Sequence, residues 1–215
     1  MNILFATRNP AKFKRYSQLI NNKRINNDVI NLINLNNINI DINVDENGKN
    51  PLENAILKAK KYYTNTHIIT FANDDGLYID GLDDRVQPGP YVRRINGKTL
   101  SDQEMINYYS KLIKSVGNET YAYWIHSYVI FDGEKIYNYT KKSKFLMRSI
   151  PCSTIRKGYP LDSLSYIKSL NKYRCELDDI DAYKIKDEKD NDIEGFLNNS
   201  IIEILNNRAV KKQLI

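Results

Sequence analysis

The chain has 215 residues, 41% hydrophobic and 27% charged, an ordinary globular composition that excludes a disordered or fibrous protein. No run approaches the roughly 20 apolar residues of a membrane-spanning helix. Two cysteines and two histidines are too few and too scattered for a disulfide framework, a zinc centre or a serine–histidine–aspartate triad. A net charge of +6 points to anionic partners, and any chemistry must come from carboxylates, amines and a hard, oxygen-loving cation. The densest basic cluster, Lys141-Lys142-Ser143-Lys144, reads as a solvated strand end, so no nucleic acid partner is expected.

Residues 2–7 read as a buried strand closed by the turn Thr7-Arg8-Asn9-Pro10. Asn9 is placed to cap a helix that has Pro10 in its first turn and runs to about Asn21. Residues 22–43 are rich in asparagine, and the alternating isoleucines of 38–44 have the period of two of a half-buried strand. A loop at 45–48 precedes a second helix from Pro51 to about Tyr63. Residues 67–72 form another buried strand, ending in an acidic turn, Asn73-Asp74-Asp75-Gly76, before a short strand at 77–82. The loop 83–91 is punctuated by Pro88-Gly89-Pro90, and Ser101 caps a helix to about Lys114. Thr120–Phe131, the turn Asp132-Gly133 and Glu134–Leu146 make a hairpin.

Beyond Pro151 the pattern weakens through a tyrosine-rich stretch and an acidic run, Glu176 to Glu194, to a helix from about Asn198 to the end. Strands alternating with helices, and no long linker, predict one α/β domain over residues 1–215, with 151–215 its least regular third. The first residues run directly into a strand and lack the basic and apolar regions of a secretory leader, so a cytoplasmic location is expected.

Three segments fall at strand ends, where α/β proteins place ligand sites. Thr7-Arg8-Asn9-Pro10-Ala11-Lys12 joins free helix-end amides and a positive dipole end to the charge of Lys12, a pattern suited to phosphate. Glu53, in the first turn of the second helix, complements the helix dipole, and Glu46 lies in the preceding loop. Asn73-Asp74-Asp75-Gly76 is either a simple turn or, at the end of a buried strand, a holder of Mg²⁺, which takes one or two carboxylates together with substrate phosphates.

Taken together, Thr7-x-Asn9-x-x-Lys12, Glu46, Glu53-Asn54-Ala55-Ile56-Leu57-Lys58-Ala59, Asn73-Asp74-Asp75-Gly76-Leu77 and Pro88-Gly89-Pro90-Tyr91 resemble the inosine triphosphate pyrophosphatase family. The resemblance is specific over residues 1–97 and continues through the hairpin at 120–146. It implies a two-lobed α/β fold with a long mixed sheet flanked by helices and an active-site cleft between the lobes. It also implies Mg²⁺-dependent hydrolysis of ITP, dITP and XTP to monophosphate and pyrophosphate, by a homodimer. On this sequence Thr7, Arg8, Asn9 and Lys12 would hold the phosphates. Glu46 and Asp74 would hold the metal, with Asp74 also the catalytic base. Asp75, which stands where many members have serine, would be a further substrate contact, and Asn73 stands where they have the first acid of a pair.

Val86-Gln87 looks like a small insertion. The family's base-reading motifs are altered: Lys157-Gly158-Tyr159-Pro160-Leu161-Asp162 is an echo of one, and Asn207-Arg208 would stand for another, making Arg208 a substrate contact. Broadened base specificity, or a non-catalytic nucleotide- or RNA-binding module on the same fold, are the alternatives.

Overall fold

Ile3, Leu4 and Phe5 are completely buried, so the first strand, β1 (Asn2–Phe5), is covered on both faces, as a continuous apolar run in a parallel sheet requires. The computed structural model describes residues 1–38, 40, 42–184 and 189–213. After β1 come α1 (Pro10–Ile20), the short strands β2 (Arg24–Ile25) and β3 (Asp28–Val29), β4 (Asn31–Asn34) and α2 (Pro51–Thr66). Next are β5 (Thr70–Ile79), β6 (Arg94–Ile95), β7 (Lys98–Thr99) and α3 (Asp102–Ser115). The hairpin β8 (Glu119–Phe131) and β9 (Ile136–Arg148) leads to β10 (Ser165–Ile167), β11 (Lys172–Tyr173), α4 (Asp179–Lys184) and α5 (Lys189–Gln213).

Seven strands form one mixed sheet in the order β11-β10-β9-β8-β5-β1-β4. β1 runs parallel to β4 and β5, with Phe5 level with Asn34 and Phe71; β10 is antiparallel to β9 and β11. The chain clusters into two units, and β5, β8 and β9 each give one half to either. The first unit holds residues 1–74, Ser127–Thr140 and α5. One face of its sheet is covered by α1 and α5, around Phe5, Tyr16, Phe71 and Leu197; α2 covers the other, around Leu4, Ala55, Ala59 and Ala72. The second unit holds Asp75–His126 and 141–184, with α3 (Met105, Tyr109, Ile113) against Leu77, Ile79, Ala122 and Met147.

Most expected elements occur within a few residues of their predicted bounds, and four differ. The acidic turn at 73–76 is the middle of a strand: Asn73 and Asp74 are buried and bonded from α2, so they need not turn out to solvent. The partner of β1 on the β4 side is 31–34, not 38–44. Ile38, Ile40, Ile42 and Val44 are instead pressed onto the Ala55–Ala72 cluster without strand pairing, so their periodicity records one-sided burial; Asn39 and Asp41 lie outside the described residues. His67 is no strand residue: it ends α2 in the left-handed conformation at φ +52°.

Finally, α5 starts nine residues before Asn198, while Ile185 to Glu188 of the acidic run, and Leu214 and Ile215 at the expected helix end, lie outside the described residues. The Val86-Gln87 insertion has a structural use, because the Gln87 amide bonds both the N–H and the C=O of Ile79, at 2.8 Å each. Cys152 and Cys175 are free thiols. No helix among the described residues is long and apolar enough to cross a membrane.

Gly133 in the β8–β9 turn has φ +105°, and a Cβ there would meet the Tyr63 hydroxyl at 2.1 Å and its ring at 2.3 Å. Gly97 has φ +77° with nothing within 4 Å. Gly133→Ala should therefore lower unfolding free energy by about 2–4 kcal/mol, and Gly97→Ala by about 1–2, in urea titrations. Equal losses would mean that Tyr63 swings clear without cost.

Candidate active site

Parallel pairing sets the end of β1 beside the first half of β5: Ala6 N–H bonds to Phe71 C=O at 2.8 Å, beyond which β1 gives way to the Thr7–Asn9 turn while β5 continues through Asn73-Asp74. The turn is tightly self-bonded. Thr7 Oγ1 accepts from Asn9 N–H at 3.1 Å, and Asn9 Oδ1 caps α1 by accepting from Ala11 N–H at 2.9 Å and Lys12 N–H at 3.3 Å. Phe13 N–H goes to Asn9 C=O at 3.0 Å, and Pro10 has no N–H. The helix-end amides expected to be free for phosphate are thus already used by Asn9. What the turn can offer an anion is the side chains of Thr7, Arg8 and Lys12; Arg8 is exposed, with its guanidinium 3.4 Å from Ile42 C=O.

The second arm is α2. Asn50 caps it, accepting from Glu53 N–H at 3.0 Å, and Glu53 returns to Lys49 N–H at 2.8 Å and to the Asn50 amide at 2.9 Å. Glu53 is therefore a capping residue. One turn of helix then sets Asn54 and Lys58 on the face turned towards β5. Asn54, completely buried, accepts from Gly48 N–H at 2.8 Å and donates to Asp74 Oδ2 at 3.1 Å. Gly48 has no room for a side chain, since a Cβ would come within 2.7 Å of Asn54 Oδ1 and of Glu53 Cβ.

Lys58 joins the acid of the loop to that of the strand. Its ammonium is 2.8 Å from Asp74 Oδ1, 3.2 Å from Glu46 Oε2 and 3.4 Å from the Asn73 carbonyl. Burial pushes the Asp74 carboxyl above the usual carboxylate range, more than Lys58 and Asn54 draw it down; Glu46 adds a smaller upward push. Two hard carboxylates sharing one ammonium form the donor set that Mg²⁺ takes from a protein when phosphates and water complete its shell. Among the described residues no group of three or more His, Cys, Asp or Glu could hold a metal alone, so the set fits a cation that arrives with an anionic substrate.

Other expected residues go elsewhere. Asp75 follows Asp74 along a strand, so its side chain leaves from the opposite face; its Oδ1 is 2.7 Å from His126 Nδ1 in the second unit. Arg208 is not with the β1–α1 turn. It lines a hollow of about 750 Å³ with Met1, Asn2, His67 and Ile69, at the start of β1 and β5 rather than their ends, and its nearest polar contact is Met1 Sδ at 4.0 Å. Asn207 is exposed and bonds Tyr137. In the second unit, the 157–162 segment is anchored by Gly158 N–H to Asp102 at 2.9 Å. Asn54 and Lys58, which hold Asp74, are given no role by the sequence reading. Their signal was present: two polar residues one helical turn apart on the face that also carries Ala55, Ala59 and Tyr62.

A family model described as the Ham1 family matches residues 3–144. The dITP/XTP pyrophosphatase of Christiangramia forsetii is 30% identical over 120 residues, 56% of this chain and 59% of that one. That of Oceanobacillus iheyensis is 34% identical over 114 residues, 53% and 55% of the two chains. The chain thus spans about half the length of the curated relatives it matches. The Staphylococcus aureus Ham1 protein superposes with a TM-score of 0.73 at 21% identity, over 93% of this chain and all of that one. A HAM1 protein from Coxiella burnetii gives 0.72 at 20%, over 96% and 99%; both likenesses concern the fold alone. The family match takes in the β1–α1 turn and the joined Glu46, Lys58 and Asp74, and the chain belongs to the Ham1 family.

Proposed function

We propose that the protein is a nucleoside triphosphate pyrophosphatase acting on non-standard purine nucleotides, ITP, dITP and XTP, releasing the monophosphate and pyrophosphate. The observation that carries this reading is Asp74, a buried carboxylate kept in a polar setting by Asn54 and Lys58, with Glu46 on the same ammonium. The names of the curated relatives, dITP/XTP pyrophosphatases, support it.

Glu46 and Asp74 would hold Mg²⁺, which when bound neutralises phosphate charge and polarises a phosphoryl oxygen. Asp74 accepts the proton of the attacking water as its oxygen bonds to the α-phosphorus and the α–β bridging bond breaks. A carboxyl raised by burial is a stronger base than an exposed aspartate. Lys58 fixes the orientation of both carboxylates and keeps Asp74 ionised. Lys12, Thr7 and Arg8 hold the phosphates, with Lys12 meeting the charge that builds on the departing pyrophosphate. Residues 207–208 are left out of the site. The base is read by other groups.

The deciding assay is pyrophosphate release from ITP, XTP, GTP and ATP with Mg²⁺, with orthophosphate followed in parallel. Pyrophosphate from ITP and XTP is expected, and Asp74→Asn should lose about 10²-fold or more in kcat. Orthophosphate as product, or a fully active variant, would sink the reading. Asn207→Ala and Arg208→Ala should leave the ITP-to-ATP ratio unchanged. Replacement of Glu46 by Gln should raise the Mg²⁺ concentration for half-maximal rate, and an unaltered metal dependence would remove Glu46 from the ligands.

The raised carboxyl of Asp74 also has a consequence for stability. An acid whose folded pKa exceeds its unfolded value penalises the folded state in full above the folded pKa, and the penalty fades as pH falls towards the unfolded value near 3.8. In metal-free protein, Asp74→Asn should therefore melt at or above the wild-type temperature at pH 7, with the difference shrinking towards pH 4. A variant that is less stable at pH 7 would show that the Lys58 pair outweighs burial.

A further inference from the structure

In the second unit α3 covers one face of β8 and β9, where Ala122 and Met147 are buried. The residues that alternate with these leave the sheet on its other face: Tyr121 and Tyr123 from β8, Lys142 and Lys144 from β9. Tyr121, Lys142 and Lys144 are exposed, Tyr121 by 41%. The Lys142 ammonium stands 3.7 Å from the centre of the Tyr123 ring. Lys144 is 4.0 Å from that of Tyr121 and 5.7 Å from that of Tyr123, and Lys168 is 6.0 Å from that of Tyr121. Alongside, the Arg148 guanidinium lies 3.3 Å from the Tyr166 ring centre.

The charge of this face is only partly balanced. Glu119 pairs with Arg148 at 2.7 Å and Lys168 at 3.2 Å, and Asp80 accepts the Tyr123 hydroxyl at 3.1 Å. Lys142 and Lys144 make no ion pair among the described residues. Interleaved rings and cations are the composition that binds a polyanion with flat, unpaired bases.

We propose that this face binds single-stranded nucleic acid, with the tyrosine rings stacking bases and Lys142 and Lys144 moving from the rings onto phosphodiesters. Stacking of a base on an aromatic ring is stronger than an exposed cation–π contact, so the exchange favours the bound state. Two residues along a strand separate Tyr121 from Tyr123 by about 7 Å, twice the roughly 3.4 Å rise per nucleotide of a stacked strand, which suits an extended single strand rather than a duplex. A second copy of the chain would set like charges against each other here.

The test is fluorescence anisotropy of labelled dT15 across a salt series, with a matching duplex, for the wild type and two double variants. Lys142→Ala/Lys144→Ala should reduce the log–log salt slope by about 1.4, two contacts at about 0.7 each. Tyr121→Leu/Tyr123→Leu should weaken binding tenfold or more with the slope unchanged, and Lys142→Arg/Lys144→Arg should retain binding. Melting temperatures matching wild type show that the variants are folded. The proposal is overturned if dT15 does not bind at low salt, if the duplex binds as tightly, or if the tyrosine pair is without effect. It is equally overturned if sedimentation finds a dimer that the lysine variant dissociates, or if phosphatidylserine vesicles bind where dT15 does not.

Discussion

Lys58 lies between two carboxylates, and the surrounding structure is arranged to keep it there. Its side chain is 12% exposed and that of Asp74 11%, so both charges have lost most of their water. Forming such a pair brings little net stability, because desolvation opposes attraction, and Lys58 keeps Glu46 as a partner when Asp74 is neutralised. The direction of the Asp74 shift agrees: burial wins over the attraction of Lys58 and the Asn54 hydrogen bond. Glu46, Asp74 and Lys58 together carry one net negative charge in a partly dehydrated place. That is a poor arrangement for stability and a good one for receiving a cation with its phosphate-bearing substrate.

The geometry of this trio is set by backbone chemistry at the start of α2. Asn50 takes the Glu53 and Asn54 N–H groups, and Glu53 in turn holds the Lys49 N–H and the Asn50 side chain, which fixes where the helix begins and hence which residues point at β5. Gly48 permits the loop to close on Asn54, and Tyr62 Oη holds the same loop through the Ile42 carbonyl at 3.1 Å. The turn after β1 follows the same logic with a different result. Asn9 satisfies the helix start so completely that a phosphate there must be held by side chains, and the charge of Lys12 matters more than any dipole.

Elements marked by local chemistry were legible in the sequence: Asn9-Pro10, Pro51 and Ser101 as helix starts, and Asp132-Gly133 as the hairpin turn. Elements decided by tertiary burial were not. Asn73-Asp74-Asp75-Gly76 has the composition of a turn, and only the polar groups of α2 allow it to remain a strand. The isoleucines of 38–44 alternate like a strand because one side meets the core, but the edge of β1 is taken by 31–34. Of the site, the acids and the phosphate turn were readable as residue types in order, whereas Asn54 and Lys58 become visible only when a helix face is laid against a strand end. The run 141–144 has the same limit. Its sequence shows lysines, and the rings beneath them come from the neighbouring strand.

Helical period explains why the last helix contributes to the core and not to the site. Ile193, Leu197, Ile201 and Ile204 recur at steps of four, four and three and are all buried against β1, β5, β8 and β9. The next position on that stripe is Arg208, which falls beyond the apolar cluster and over the start of β1, beside Met1. Asn207 is turned off the stripe to Tyr137. To bring either residue to Thr7 or Asp74, α5 would have to slide along its axis by several turns and withdraw four side chains from the core. At about 2–5 kcal/mol for each aliphatic side chain taken out of a packed interior, that cost is as large as the whole stability of a typical domain. The placement of Arg208 away from the phosphate turn is therefore a property of the packing of α5, fixed by the same apolar stripe that closes the first unit.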